Sequence, residues 1–273
     1  MSSSFISTLN HHQRVQGRAS RSRRSWGTRF VSDTQDSIEA GPARGQARCS
    51  PFPFHPCPGI VGARMKSTAA RTSEPVRCPW AGSDPLYLRY HDEEWGTPTH
   101  DDLRHFEFLV LESAQAGLSW ITILRKRENY RKAYRGFDPQ RVARFGKRDI
   151  ERLLGDAGIV RNRAKIEASI ENARRFLEIQ AEYGSFDRWL YDRLGGRPIV
   201  NQWKRMKDIP PRTELSDVIA KELKQRGFRF LGPTILYSHL QAVGAVNDHL
   251  VDCFRWKACR GARGVWPARG RDR

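Results

Sequence analysis

From Asp101 onward, apolar residues return every three or four positions, and the breaks between runs fall on capping residues and glycines. Asp101 and Asp102 head a first predicted helix with Phe106, Leu109 and Val110 on one face, stopped by Gly117. A second is predicted to start near Ser119. Asp138-Pro139 pairs an N-cap with a proline at the first helical position, and Asp149 to Leu154 makes a short helix ending at Gly155. The longest run, Asn162 to Glu182, places Ile166, Ile170, Ala173 and Leu177 on one stripe before Gly184. Ser185, Ser216 and Thr234 are predicted to open later helices, and Gly195-Gly196 and Gly227 to close two of them. No alternation is long enough for a sheet, so the expected fold is all-α.

The first 76 residues break this pattern. They are rich in Ser, Arg, Pro and Gly, contain runs such as RSRRSW and PFPFHPCPG, and have no apolar period. Such a segment buries too little apolar surface to offset its ordering entropy, so residues 1–76 are expected to be disordered, as is the basic tail 257–273. The expected domain spans residues 77–256. The acid-free first 32 residues have the composition of an organellar transit peptide and lack the apolar stretch of a secretory signal. Met65, followed by Lys66, offers an alternative start. No stretch approaches the roughly 20 apolar residues of a membrane span.

The net charge of +18 has the sign of a nucleic-acid partner, but most of it lies in the extensions. Residues 1–76 hold 11 Lys/Arg against 4 Asp/Glu and residues 257–273 hold 6 against 1, leaving 31 against 25 between them. The predicted domain is therefore only moderately basic.

Five cysteines form a poor disulfide framework and fit a reducing compartment, where Cys beside His more often marks a metal site. Cys78-x12-His91 and His249-x3-Cys253 are two half-sites at opposite ends of the predicted domain. If both pairs held one zinc, a closed tetrahedral set would clasp those ends as a structural staple.

Two further segments carry candidate chemistry. In KQRGFRFLGPTILYSHL a glycine-bounded link, Gly227 to Gly232, joins two predicted helices, and backbone N–H groups at the second helix start suit a DNA phosphate; a plain packing turn explains the same pattern. The link around Gly158 is a weaker candidate of the same kind. In RCPWAGSDPLYLRYHDEEWG the aromatics Trp80, Tyr87, Tyr90 and Trp95 alternate with charge, and LESAQAGLSW sets Glu112 among apolar residues ahead of Trp120. A buried carboxylate with several aromatic faces is the equipment for holding an extruded base, although Glu112 exposed on an outer helix stripe is the plainer alternative.

These segments, together with LESAQAGLSWITILRKRENY, DAGIVRNRAKI and VNDHLVDC, resemble in order the bacterial DNA-3-methyladenine glycosylase I family over about residues 77–256. The resemblance implies an all-α helix-hairpin-helix glycosylase fold whose ends are joined by one structural zinc on Cys78, His91, His249 and Cys253. It implies that Glu112 hydrogen-bonds the damaged base, that Tyr90 and Trp120 form aromatic walls and that Trp80 lines the same cavity. The hairpin expected to grip DNA contributes Gly227, Phe228, Gly232 and Thr234. Asp248, beside His249, is expected to support the metal ligand, with catalysis as an outside alternative.

The implied activity is monofunctional hydrolysis of the N-glycosidic bond of 3-methyladenine in double-stranded DNA, by a cytoplasmic monomer. The competing class is a non-catalytic protein that binds alkylated DNA.

Overall fold

The computed structural model describes residues 74–260, so the expectations for residues 1–73 and 261–273 lie outside it. After a 3-10 turn at Pro79–Ala81, α1 (Pro85–Arg89) runs directly into a π turn, Tyr90–Glu94. Then follow α2 (Asp102–Gln115), α3 (Trp120–Ala133), α4 (Pro139–Val142), α5 (Lys147–Gly155), α6 (Arg163–Tyr183) and α7 (Phe186–Arg193). The chain closes with α8 (Glu214–Gln225), α9 (Pro233–Ala242) and α10 (Phe254–Arg260). A two-residue parallel pair, β1 (Ile199–Val200) against β2 (Val246–Asn247), is too short to leave an alternation in the sequence.

The core is organised around α2. Residues from His105 to Ala114 are all buried, because α3, α6, α7 and α9 cover this helix from different sides. Its N-cap is Asp101, whose carboxylate accepts from the Leu103 amide at 2.9 Å. Asp102 does not share that role. Its carboxylate accepts from the amides of Phe186 (2.8 Å) and Asp187 (2.9 Å) and so caps α7.

Most predicted boundaries coincide with observed ones: Ser119, Asp138, Asn162 and Ser185 stand at the N-caps of α3, α4, α6 and α7. Three differ. α5 starts at Lys147, and Asp149 reaches back to the Gly146 amide. Thr213 caps α8 in a reciprocal pair with Ser216, which lies one turn inside. Gly232 is the N-cap of α9, so Pro233 rather than Thr234 opens that helix. In each case a residue two or three positions earlier stands at the N-cap, and of these only Thr213 accepts from a first-turn amide. On α6 the buried stripe runs from Ile166 through Ile170 and Ala173 to Phe176 and Ile179, with Leu177 half-buried at its edge.

The ordered chain also runs past residue 256. Lys257–Arg260 form the last turn of α10, and Cys259 is buried there. At the other end, the Phe254 amide donates to the Val76 carbonyl at 3.0 Å, bringing the two ends of the domain into contact. Among the described residues no helix is long and apolar enough to cross a membrane.

Candidate active site and metal centre

Four elements bring four of the predicted residues together, the 3-10 turn at Pro79–Ala81 supplying Trp80. The π turn carries Tyr90, α2 carries Glu112, and α3 opens with Trp120. The Tyr90 and Trp120 rings stand 5.5 Å apart at 52°, with Phe108 stacked behind Trp120 at 6.4 Å and 22°. Trp80 lies 6.3 Å from Tyr90 and 5.2 Å from Tyr87. Tyr87 therefore belongs to the same aromatic group.

Glu112 is only 4% exposed, which rules out an outer-stripe position. Among the described residues no hydrogen-bond donor meets its carboxyl, and burial pushes that carboxyl up to about 8. Burial raises the Tyr90 and Tyr87 hydroxyls too, and the proximity of Glu112 adds to both shifts. Trp120 is equally unusual: its indole Nε1 is buried with no hydrogen-bond partner. A buried polar group left unpaired costs about 1–3 kcal/mol. The group thus combines flat apolar faces with a donor and an acceptor that the protein itself does not pair.

On the far side of Trp80 lies the Cys/His cluster. The ligand atoms of Cys78, His91, His249 and Cys253 lie within 4.8 Å of one another, and all four residues are buried. The Cys78 and Cys253 sulfurs stand 3.6 Å from His249 Nδ1, and Cys253 Sγ stands 3.5 Å from His91 Nε2. The Cys78 thiol beside it, followed by the two histidines, holds the Cys253 thiol well below its usual range, so the set readily presents a thiolate. This cluster could hold a metal ion.

Each histidine is oriented by a group outside the cluster. Asp92 Oδ1 lies 2.7 Å from His91 Nδ1, and Arg77 bonds the same carboxylate at 2.9 Å. The Trp95 carbonyl lies 3.0 Å from His249 Nε2. Gly96, at φ 75°, lets the chain pass that ring, since a Cβ there would come within 2.8 Å of His249 Nε2.

Asp248 has other hydrogen-bond partners than the His249 ring it was expected to support. It is fully buried and accepts from Asn201 Nδ2, Trp203 Nε1 and Gln241 Nε2, each at 2.7 Å, and from the Tyr237 hydroxyl. With these donors it ties α9 to the β1 segment and does not bond the His249 ring. Nothing in the neighbouring sequence points to these bonds, because its partners lie 45 and 47 positions upstream as well as on α9.

The hairpin between α8 and α9 is built as predicted in backbone and differs in side chains. Gly227, at φ 92°, ends α8, and a Cβ there would sit 3.1 Å from Arg175 Nε on α6. Asn172 of α6 grips the turn at both hydrogen-bonding groups of Arg229, donating to its carbonyl at 2.9 Å and accepting from its amide at 2.8 Å. Phe228 is buried, so its ring is not offered to a ligand at the surface. Gly232 and Thr234 are exposed, and Phe230, unnoticed in the sequence, is 39% exposed at φ 57°.

Comparison with known proteins matches residues 80–256 to the methyladenine glycosylase family model. The DNA-3-methyladenine glycosylase 1 of Escherichia coli (strain K12) is 49% identical over 177 residues, which are 65% of this chain and 95% of that protein. The DNA-3-methyladenine glycosylase of Haemophilus influenzae is 43% identical over 178 residues, 65% of this chain and 96% of that protein. A crystal structure of a 3-methyladenine DNA glycosylase I superposes with a TM-score of 0.64 at 49% identity, covering 66% of this chain and 98% of the other. One from Staphylococcus aureus, concerned with 3-methyladenine recognition, gives 0.63 at 41% identity and covers 65% and 94%. With a model match over well over half the chain and relatives covered almost end to end, this protein belongs to the methyladenine glycosylase family.

Proposed function

We propose that this protein is a monofunctional DNA glycosylase that hydrolyses the N-glycosidic bond of 3-methyladenine in alkylated DNA. The observation that carries the proposal is the pair of unpartnered groups, the Glu112 carboxyl and the Trp120 N–H, inside an aromatic slot. A flat, hydrogen-bonding, cationic ligand answers both features. Adenine methylated at N3 has these properties once the nucleotide is turned out of the duplex.

The chemistry asked of the protein is modest. A cationic base is already a good leaving group, so no acid need protonate it. Water adds to the sugar C1′, the C1′–N9 electron pair passes to the base and neutralises it, and the water's proton goes to solvent. The slot holds the cation against aromatic faces, worth about 0.5–2 kcal/mol per ring. Facing the cation, ionised Glu112 adds a charge-assisted hydrogen bond of about 1.5–3 kcal/mol. Empty, Glu112 is held protonated at neutral pH by burial; an arriving positive charge favours the carboxylate, so capture of the cation releases a proton. Neutral adenine gains neither charge interaction. Lys165, whose ammonium reaches α2, is engaged by the Ala114 and Ala116 carbonyls at 2.9 and 2.6 Å, in keeping with hydrolysis rather than Schiff-base strand cleavage.

The metal we assign is one structural zinc. A tetrahedral ion with bonds of about 2.3 Å to sulfur and about 2.05 Å to nitrogen sets those atoms about 3.55 Å apart; the cluster has them at 3.5–3.6 Å. Four protein ligands would leave such an ion no open position, so it would supply cross-linking and no step of the reaction. Gly227, Gly232, Thr234 and the Phe228 backbone serve the hairpin that takes a phosphate of duplex DNA at the start of α9. The protein acts as a cytoplasmic monomer, with residues 1–76 as a basic extension to the catalytic domain.

Incubating methylated duplex DNA with the protein and measuring free 3-methyladenine by chromatography tests the activity. Release above a Glu112→Gln control is expected, and no release above that control overturns it. A non-catalytic binder would retard alkylated DNA in a gel without releasing base.

A further inference from the structure

Each wall of the slot stands on a different element, and one buried guanidinium is bonded to the other two. Arg127 lies on α3 two turns beyond Trp120 and is 8% exposed. Its Nη1 donates to both Glu94 oxygens, at 3.0 and 2.8 Å, and its Nε donates to Glu107 Oε1 at 2.9 Å. Glu94 closes the π turn that begins with Tyr90, and Glu107 lies on α2 ahead of Glu112. Arg104 bonds the same two carboxylates, at 2.6 and 2.9 Å, but it belongs to α2 itself and so joins only two of the elements. The two guanidinium groups flank the Phe108 ring at 5.1 and 5.4 Å, and Phe108 is the ring stacked on Trp120.

We infer that Arg127 is a positioning residue for base recognition: by bridging Glu94 and Glu107 it sets the separation of Tyr90, Glu112 and Trp120. The inference rests on the glycosylase assignment above. Three considerations carry it. A buried ion network contributes little net stability, since desolvation offsets attraction, so its geometric effect is the better account of such a knot. Only a planar fork can serve two carboxylates on different elements in fixed directions; a lysine ammonium offers one point of charge. The knot also meets the π turn at the end opposite His91, so this turn is pinned at one end by the Cys/His cluster and at the other by Arg127.

The test uses the full chain with Arg127→Lys, and Arg131→Lys as control. Arg131 bonds Glu107 Oε1 at 2.7 Å but bonds neither Glu94 nor any other π-turn residue. Four quantities are read: thermal melting, dialysis affinity for free 3-methyladenine, affinity for undamaged duplex, and single-turnover base release below the melting range. Arg127→Lys is expected to lose about tenfold or more in base affinity and release, since ångström-scale misplacement costs up to about a hundredfold. Its affinity for undamaged duplex should stay at the wild-type level, and Arg131→Lys should match the wild type throughout.

A cleft of about 320 Å³ lined by Tyr90, Glu94, Arg104 and Arg127 gives water access to the vacated space. If Arg127→Lys nevertheless fails to fold, the doubly neutral Glu107→Gln/Arg127→Gln chain replaces it with the same expectation. Wild-type base affinity and release in the folded variant, or an equal loss in Arg131→Lys, overturns the inference. Absence of release from the wild type instead overturns the glycosylase assignment, so the two failures are distinguishable.

Discussion

Tyr90 and His91 are consecutive residues of one π turn, yet Tyr90 meets the Trp120 ring at 5.5 Å while His91 meets the His249 ring at 4.9 Å. The wall of the slot and the Cys/His cluster thus share a backbone, and Trp80, 5.2 Å from His91 and 6.3 Å from Tyr90, fills the angle between them.

Loss of an ion held by that cluster should therefore damage both stability and recognition. Treatment with a strong chelator, or His249→Ala, is expected to lower the melting temperature sharply, because binding energy at such a site is folding energy. Elemental analysis should find one zinc per chain. Unchanged melting in chelator, with no zinc present, would refute the assignment.

Glu112→Gln should abolish base release and raise stability in a pH-dependent way. The folded carboxyl titrates near 8, against 4.5 ordinarily, so the folded state keeps a proton that the unfolded chain has lost. Its contribution is fully present below about pH 4.5 and is lost as pH rises through 8, at roughly 1.4 kcal/mol per pH unit in between. Glutamine carries no such dependence. The variant should melt with the wild type near pH 4.5 and progressively above it toward pH 8; parallel melting curves across that range would contradict the buried, unpaired state of Glu112.

Asn172→Ala removes both hydrogen bonds that fix Arg229 in the hairpin. A cost of about 1–3 kcal/mol in unfolding free energy is expected, together with weaker binding to undamaged duplex. Affinity for free 3-methyladenine should not change, since Asn172 contacts the turn and not the slot. Denaturant unfolding and dialysis measure the two separately.

Deleting residues 1–64 should leave 3-methyladenine release intact. If the basic extension touches phosphates, the same deletion lowers the salt dependence of non-specific DNA binding. An inactive truncation would show that the extension is needed by the catalytic domain.

Much of the helical architecture was legible from local signals. Asp101, Asp138, Asn162 and Ser185 act on amides two or three residues away, and Ser119 on the Thr122 hydroxyl three residues on, so their effect is written in adjacent sequence. Ser216 and Thr234 misled because Thr213 and Gly232 served the same ends nearby. The slot residues Glu112, Tyr90, Trp120 and Trp80 and the four cluster residues stood out in the local pattern, but it was the resemblance that favoured a functional role for them, since each alone has an ordinary structural explanation.

The sequence by itself determined that the chain folds as helices, which carboxyl sits among apolar neighbours, and that Cys/His pairs stand at both ends of the domain. All of these depend on spacing along the chain. Only the tertiary structure decided that Asp102 caps α7, that Asp248 is saturated by remote donors, that Phe228 turns inward and that Arg127 joins the three walls of the slot. Those facts depend on which helix faces cover one another. Burial by distant segments sets which polar groups find partners and which, like Glu112 and the Trp120 N–H, remain unpaired by the protein's own groups.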